Sequence, residues 1–233
     1  MQILMRGYSA MVTSRGPFEP RFSELPGEIP IFPLSGALLL PGGRLPLNIF
    51  EPRYLSMVRD AIVSPHRLIG MIQSYDKTDN PEQAGTVYDI GCAGRISSFS
   101  ESDDGRILIT LSGVARFHRL DDHEVGDGYR LAQVSWKNFE SDLSPDTHTI
   151  QREHLVSVLH DYFKIKGFTA DWEQLNSCED ERLVTTLCMI CPFAVPEKQA
   201  LLESSNLSER TMLLIAILEM ASHSESDETG ARH

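Results

Sequence analysis

Phosphate-binding loops, nucleophile elbows and zinc-protease helices are all missing from this sequence of 233 residues. Nothing fits GxxxxGK(S/T), and the glycines at 91 and 94 run into a strand pattern, which excludes nucleotide binding of the P-loop type. GxSxG and HExxH are absent, and the eight histidines are dispersed. Basic residues are scarce: 21 Lys and Arg stand against 33 Asp and Glu, for a formal charge of −12. They are also scattered, so the basic face that nucleic acid requires is not expected. Long apolar runs are lacking too. Residues 1–11 (MQILMRGYSAM) do not form a signal peptide, and no segment reaches the ~18–20 apolar residues of a membrane helix. A soluble cytoplasmic protein is the expectation. Cysteine is rare, with Cys92, Cys178, Cys188 and Cys191 too few for a disulfide framework. Cys188 and Cys191 have CxxC spacing inside a helical pattern, and only Cys178 lies nearby as a further ligand, so core packing is expected and a metal is not.

What is present divides in two. The first half reads as β structure, with apolar runs at residues 28–32, 37–40 and 44–49 cut by Pro and Gly-Gly. Prolines at 30, 33, 41, 46 and 52 cannot donate to a sheet ladder, so they impose short, sharply redirected strands that wrap a small barrel. Glu51-Pro52 opens a helix with Tyr54, Leu55, Val58, Ala61 and Ile62 on one side, and Ser64-Pro65 closes it. Strands follow at 68–75, 86–100, 106–117 and 129–138, with a polar loop at 76–83 and a tight turn at Asp103-Asp104-Gly105.

After Ser144-Pro145, which suit a helix cap and first turn, the period changes to 3.6. Leu155, Val158, Leu159, Tyr162 and Phe163 form a stripe that Gly167 ends. Further helices are expected at 180–190, 196–203 and 208–220, the last opened by Asn206 with Glu209 three residues on. From Ser222 the chain is polar and aperiodic. The expected organisation is an extension (1–27), a β-rich lobe (28–140), a helical lobe (144–221) and a disordered tail (222–233).

Acidic pairs suggest local duties. Asp103-Asp104 and Asp121-Asp122 suit turns, and Glu179-Asp180-Glu181 suits a helix N-terminus. Glu51, Arg53 and Tyr54 can be read as acid, cation and phenol, or as a cap, a hydrogen-bonding side chain and a packed ring; the second reading is favoured.

Residues 29–34 (IPIFPL) and 41–54 (PGGRLPLNIFEPRY) closely resemble the N-terminal substrate-recognition domain of the Lon ATP-dependent proteases. Residues 91–117 are similar to that family's Gly-rich hairpin, and 176–220 to its helical part, including EKQALLE at 197–203. The resemblance implies an α+β fold: a PUA-like β pseudo-barrel followed by a small C-terminal helical bundle. It also implies a stand-alone form without the ATPase and Ser-Lys peptidase modules. The function implied is non-catalytic binding of unfolded or extended polypeptide, with a separate protease or chaperone as the recipient of clients. The alternative is a PUA-like domain that binds a small molecule or RNA. Pro46, Phe50, Arg53 and Tyr54, where strand meets helix, are the candidate binding residues; no catalytic residue, metal or cofactor is expected.

Overall fold

The computed structural model describes residues 20–75 and 86–230, with side chains described as far as His223. The expected loop at 76–83, most of the N-terminal extension and the last three residues lie outside the described residues. The chain forms two compact units. One holds the described residues up to Pro145 together with Met189–Glu203, and the other holds Asp146–Cys188 together with the described residues from Ser204.

The first unit is built on a six-stranded sheet: β1 (Glu28–Pro33), β2 (Arg44–Ile49), β3 (Leu68–Ile72), β4 (Ile90–Glu101), β5 (Ile107–Glu124) and β6 (Arg130–Ser135). Strand order is β2-β5-β4-β3-β1-β6, and β6 also pairs with β5. Five strands therefore close a ring, and β2 lies outside it as an edge. Among the described strands only β1 and β3 run parallel. Closure depends on the 18 residues of β5, whose first half pairs with β2 and β4 and whose second half pairs with β6. The β4–β5 register slips twice, with Val114 the extra residue on β5 and Ser97 the extra residue on β4, and both strands bend as a small closed sheet requires.

Inside the ring Ile29, Ile31, Leu68, Ile72, Phe117 and Trp136 are buried, each side chain stabilising the fold by about 1.5–3 kcal/mol. The indole N–H of Trp136 donates to Pro26 O at 2.7 Å, so even the polar edge of this core is satisfied.

Helix α1 (Pro52–Val63) starts with proline at its first position, where no N–H is missed. Residues 37–40, expected as a strand, are irregular, yet Leu38, Leu39 and Leu40 are fully buried. Turns at Gly36 and Gly42, both at positive φ, flank them and leave no length for a ladder. Asp121 and Asp122 do not form a turn. Strand β5 continues through them, and the Asp122 carboxylate, with a side chain only 3% exposed, pairs with Arg119 and Arg130. Helix α5 (Val195–Glu203) also belongs to this unit. It bonds to the sheet side through polar groups: Gln199 Nε2 donates to Ile90 O at 3.1 Å and Lys198 Nζ to Gly36 O at 2.6 Å.

The other unit contains α2 (Arg152–Lys166), α3 (Trp172–Ser177), most of α4 (Asp180–Ile190) and α6 (Leu207–Gly230), with α2 packed on α6. Leu155, Leu159, Tyr162 and Phe163 of α2 are buried as the stripe implies, and Gly167 caps it with φ of 66°. Phe168 extends that core by meeting Phe163 edge to face, and Trp172 by meeting it at a tilt. Asp180 and Glu181 occupy the first turn of α4, where the helix dipole favours them. Asn206 Oδ1 accepts from Glu209 N–H at 2.9 Å, the expected cap of α6. That helix runs to Gly230, ten residues beyond Met220, because no proline or glycine interrupts 221–229. The disordered tail expected from 222 is thus helical through Gly230. Cys92, Cys188 and Cys191 are fully buried thiols, and burial pushes the Cys191 thiol up to about 12. Among the described residues no helix is long and apolar enough to cross a membrane.

Helix α2 does not begin at Ser144-Pro145. Ser144 instead ends a 3-10 turn (Glu140–Leu143), and α2 starts at Arg152. The reason is Asp146, whose carboxylate accepts the backbone N–H groups of His148 at 2.9 Å and Leu207 at 2.8 Å, tying the segment before α2 to the start of α6. Burial raises the Asp146 pKa, but those bonds and the His148 ring outweigh it and hold the carboxyl below its ordinary 3.8. A lowered folded pKa stabilises the fold at pH above the unfolded value, and that stability drains away as pH falls through the folded one. Asp146→Asn should therefore cost about 1–2 kcal/mol near neutral pH, with the gap closing in denaturant melts as pH falls below the ordinary carboxylate range.

Candidate functional site

Beyond Arg95, where its pairing with β3 ends, β4 continues with β5 and β2 as a three-stranded extension of the ring. The register is continuous across it: Pro46, Thr110 and Ser98 stand opposite one another, as do Asn48, Leu108 and Ser100. Opposed residues of an antiparallel ladder share a face, so these six side chains line one surface. They enclose a shallow groove of about 390 Å³. Small hydroxyls on β4 form its low wall, while Leu108, 48% exposed, and Pro46 supply apolar surface. Among the described residues no charged side chain and no His or Cys lines the groove. Its chemistry is hydrogen bonding from Ser98, Ser100, Thr110 and Asn48, plus apolar contact. Among the described residues that line the groove none is a base that could activate those hydroxyls.

The opposite face carries Ile49, Ile107 and Ile109, all buried. Phe99 pairs with Ile109 and so belongs to that face, yet it lies at the rim and is 56% exposed.

The four candidate residues separate. Pro46 lies in the groove. Phe50, one residue past β2, is 61% exposed, with the Arg106 guanidinium 5.8 Å from its ring centre. Arg53 in the first turn of α1 donates twice to Glu51 Oε2, at 3.1 and 2.9 Å, and lies 4.6 Å over the Tyr54 ring. Glu51 is thus the cap of α1 by position only; its carboxylate serves Arg53 and not the helix N–H groups. Tyr54 is buried, its ring centre 4.2 Å from that of Phe32. Burial, opposed by Arg53, raises the pKa of its phenol, which therefore stays protonated. The structure brings Arg53 and Tyr54 together and places Pro46 with a different set of residues.

Leu108, Ser98, Ser100 and Thr110 were not singled out from the sequence. One signal existed: in residues 107–111 (ILITL), strand alternation buries Ile107, Ile109 and Leu111 and must turn Leu108 outward, an apolar side chain on a wet face.

With the geometry described, comparisons with known proteins agree on one family. The model of the ATP-dependent protease La (LON) substrate-binding domain matches residues 28–220. The Lon protease of Brevibacillus choshinensis is 23% identical over 195 residues, 82% of this chain and 24% of that protein. That of Parabacteroides distasonis is 28% identical over 197 residues, 82% of this chain and 23% of that protein. The chain thus spans about a quarter of the length of these curated relatives. Among solved structures, the Lon N-terminal domain protein from Xanthomonas campestris superposes with a TM-score of 0.57 at 26% identity, covering 81% of this chain and 97% of that one. The N-terminal domain of the Mycobacterium avium complex Lon protease, at 14% identity, shows the shared fold alone, with a TM-score of 0.55 over 82% and 98% of the two chains. Since the family match covers 28–220 of 233 residues, this chain belongs to the LON substrate-binding domain family.

Proposed function

We propose that this chain is a non-catalytic module that binds polypeptide in an unfolded or extended state and passes it to a separate protease or chaperone. The observation that carries the reading is the uncharged groove between exposed strands, where apolar surface and neutral hydroxyls lie side by side. Such a lining suits many sequences, because it demands neither a charge nor one particular side-chain shape. Pro46 contributes from the groove, Phe50 from the exposed end of β2, and Arg53, stacked on the Tyr54 ring, from the first turn of α1. A nucleic-acid ligand fits less well, since it requires Lys and Arg and neither lines the groove among the described residues.

Reduced and alkylated α-lactalbumin, which cannot refold, is a suitable probe in fluorescence anisotropy. Saturable binding of this probe, with the native protein binding at least about tenfold more weakly and mass spectrometry showing the probe intact, is the expected result. Leu108→Lys should weaken the complex about tenfold, by placing an ammonium on the apolar floor. Absence of binding, or cleavage of the probe, would overturn the reading.

A further inference from the structure

Among the described residues no strand covers either edge of the sheet extension, and the two edges differ. Ser102 N–H donates to Arg106 O at 3.0 Å, which sets the phase of the β4–β5 ladder. Counting back by twos, Ser100 and Ser98 exchange bonds with Leu108 and Thr110, so the N–H and C=O groups of Phe99 and Glu101 point away from β5. Among the described residues no strand pairs with β4 on that side after Arg95. The same phase turns Ile107, Ile109 and Leu111 toward β2, so that Pro46 faces the free edge of β2. Proline has no N–H, and the β2 edge is blunted where a visiting strand would need a donor. The β4 edge from Ser97 to Glu101 (SSFSE) has neither proline nor lysine to protect it.

We infer that the occupant of this site is an extended peptide that adds as a further strand to the Phe99–Glu101 edge of β4. It alternates apolar and small polar residues, with a basic residue at the hairpin end. The inference rests on the polypeptide-binding reading above and specifies its geometry. Alternation follows from the two faces of the edge: one set of side chains meets the exposed Phe99 ring, and the other lies beside the Ser98 and Ser100 wall of the groove. The basic residue follows from charge. The hairpin tip carries Glu101, Asp103 and Asp104, and its one cation, Arg106, is engaged by Asp104 at 2.8 Å. A strand ending beside Glu101 and Asp103 meets a negative field.

The test uses a fluorescent, end-blocked Lys-Val-Thr-Val-Thr-Val peptide and two isomers, N-methylated at the Val or at the Thr positions. N-methylation removes donors from one edge of a strand and leaves the other intact. One isomer should bind about tenfold or more weakly than the parent and the other about equally, because a strand docks through one edge only. Phe99→Pro removes the donor of the free edge and should weaken the parent peptide similarly, whereas Phe99→Ala keeps the edge and should cost less. Circular dichroism confirms that both variants are folded; should Phe99→Pro unfold, the methylated isomers decide alone. Replacing the peptide's Lys by Glu should weaken binding, and added salt should shrink that difference. Equal binding of both isomers, with alkylated α-lactalbumin still bound, would overturn strand addition and leave polypeptide binding standing; loss of both probes would overturn both. A concentration-dependent dimer that peptide cannot displace would also overturn the inference, by assigning the edge to a second copy of this chain.

Discussion

Asp142→Ala will lower stability by about 3–5 kcal/mol, the largest single-residue loss we expect from an ion pair in this protein. Arg116 on β5 and Asp142 in the 3-10 turn have side chains only 3% and 6% exposed. The carboxylate accepts from Arg116 Nε and its backbone N–H, both at 2.9 Å, and from a terminal guanidinium nitrogen at 2.7 Å. The other terminal nitrogen donates to Leu202 O at 3.1 Å, and the guanidinium carbon lies 4.8 Å from the centre of the Phe139 ring. Removing the carboxylate strands a desolvated cation and a backbone donor together. In a unit of this size the midpoint of thermal unfolding should fall by roughly 6–20 °C. The double variant Arg116→Met/Asp142→Leu should recover much of the loss, because no buried charge then remains. Recovery will be partial, since the backbone N–H at position 116 loses its bond to the Asp142 carboxylate. A double variant no more stable than Asp142→Ala would show that the site depends on its hydrogen bonds and not on the cost of an unpaired charge.

Arg116 also marks the limit of what a linear reading can reach. Features decided within a few residues were legible: Pro52 opening α1, Gly105 turning the β4–β5 hairpin, Gly167 ending α2 and Asn206 capping α6. Each depends on the local backbone, where one residue type has a distinct physical advantage. Features decided by distant partners were not legible. Arg116 looks like a surface cation until Asp142 and Leu202 surround it. Lys198 and Gln199 suggest a solvated helix face, yet they bond to Gly36 and Ile90 and fix α5 to the sheet. Asp122 reads as a turn residue because its partner on β6, Arg130, cannot be seen locally. For the candidate site the division is the same. The strand-to-helix passage around Pro46 and Tyr54 was recognisable as a motif, but the groove arises from the register of three strands. Its floor, Leu108, has functional meaning only once Asn48 and Ser100 are known to flank it.

Gly113→Ala should be still more damaging to the candidate site than to the overall fold. Gly113 lies in β5 where the chain between β1 and β2 crosses it. Its N–H donates to Gly43 O at 2.8 Å, its C=O accepts from Gly42 N–H at 3.0 Å, and Gly43 N–H closes back on Leu40 O at 2.9 Å. A Cβ at 113 would collide with the Leu40 carbonyl oxygen and lie 2.8 Å from its carbon. These are backbone atoms, and Leu38–Leu40 are buried, so no side-chain rotation can relieve the clash. The contrast is Gly105, whose φ of +81° makes a side chain strained but whose surroundings are open. Gly105→Ala should cost about 1–2 kcal/mol from backbone strain alone. Gly113→Ala should cost more than about 3 kcal/mol, because the Leu38–Leu40 segment must leave its place. Those bonds also align β2 against β5, and with them the Pro46–Thr110 and Asn48–Leu108 rows of the groove. Chemical denaturation should rank Gly113→Ala well below Gly105→Ala, and anisotropy with alkylated α-lactalbumin should show lost binding in the first and retained binding in the second. Full binding by a folded Gly113→Ala protein would separate the β2 register from the site and move recognition elsewhere on the sheet.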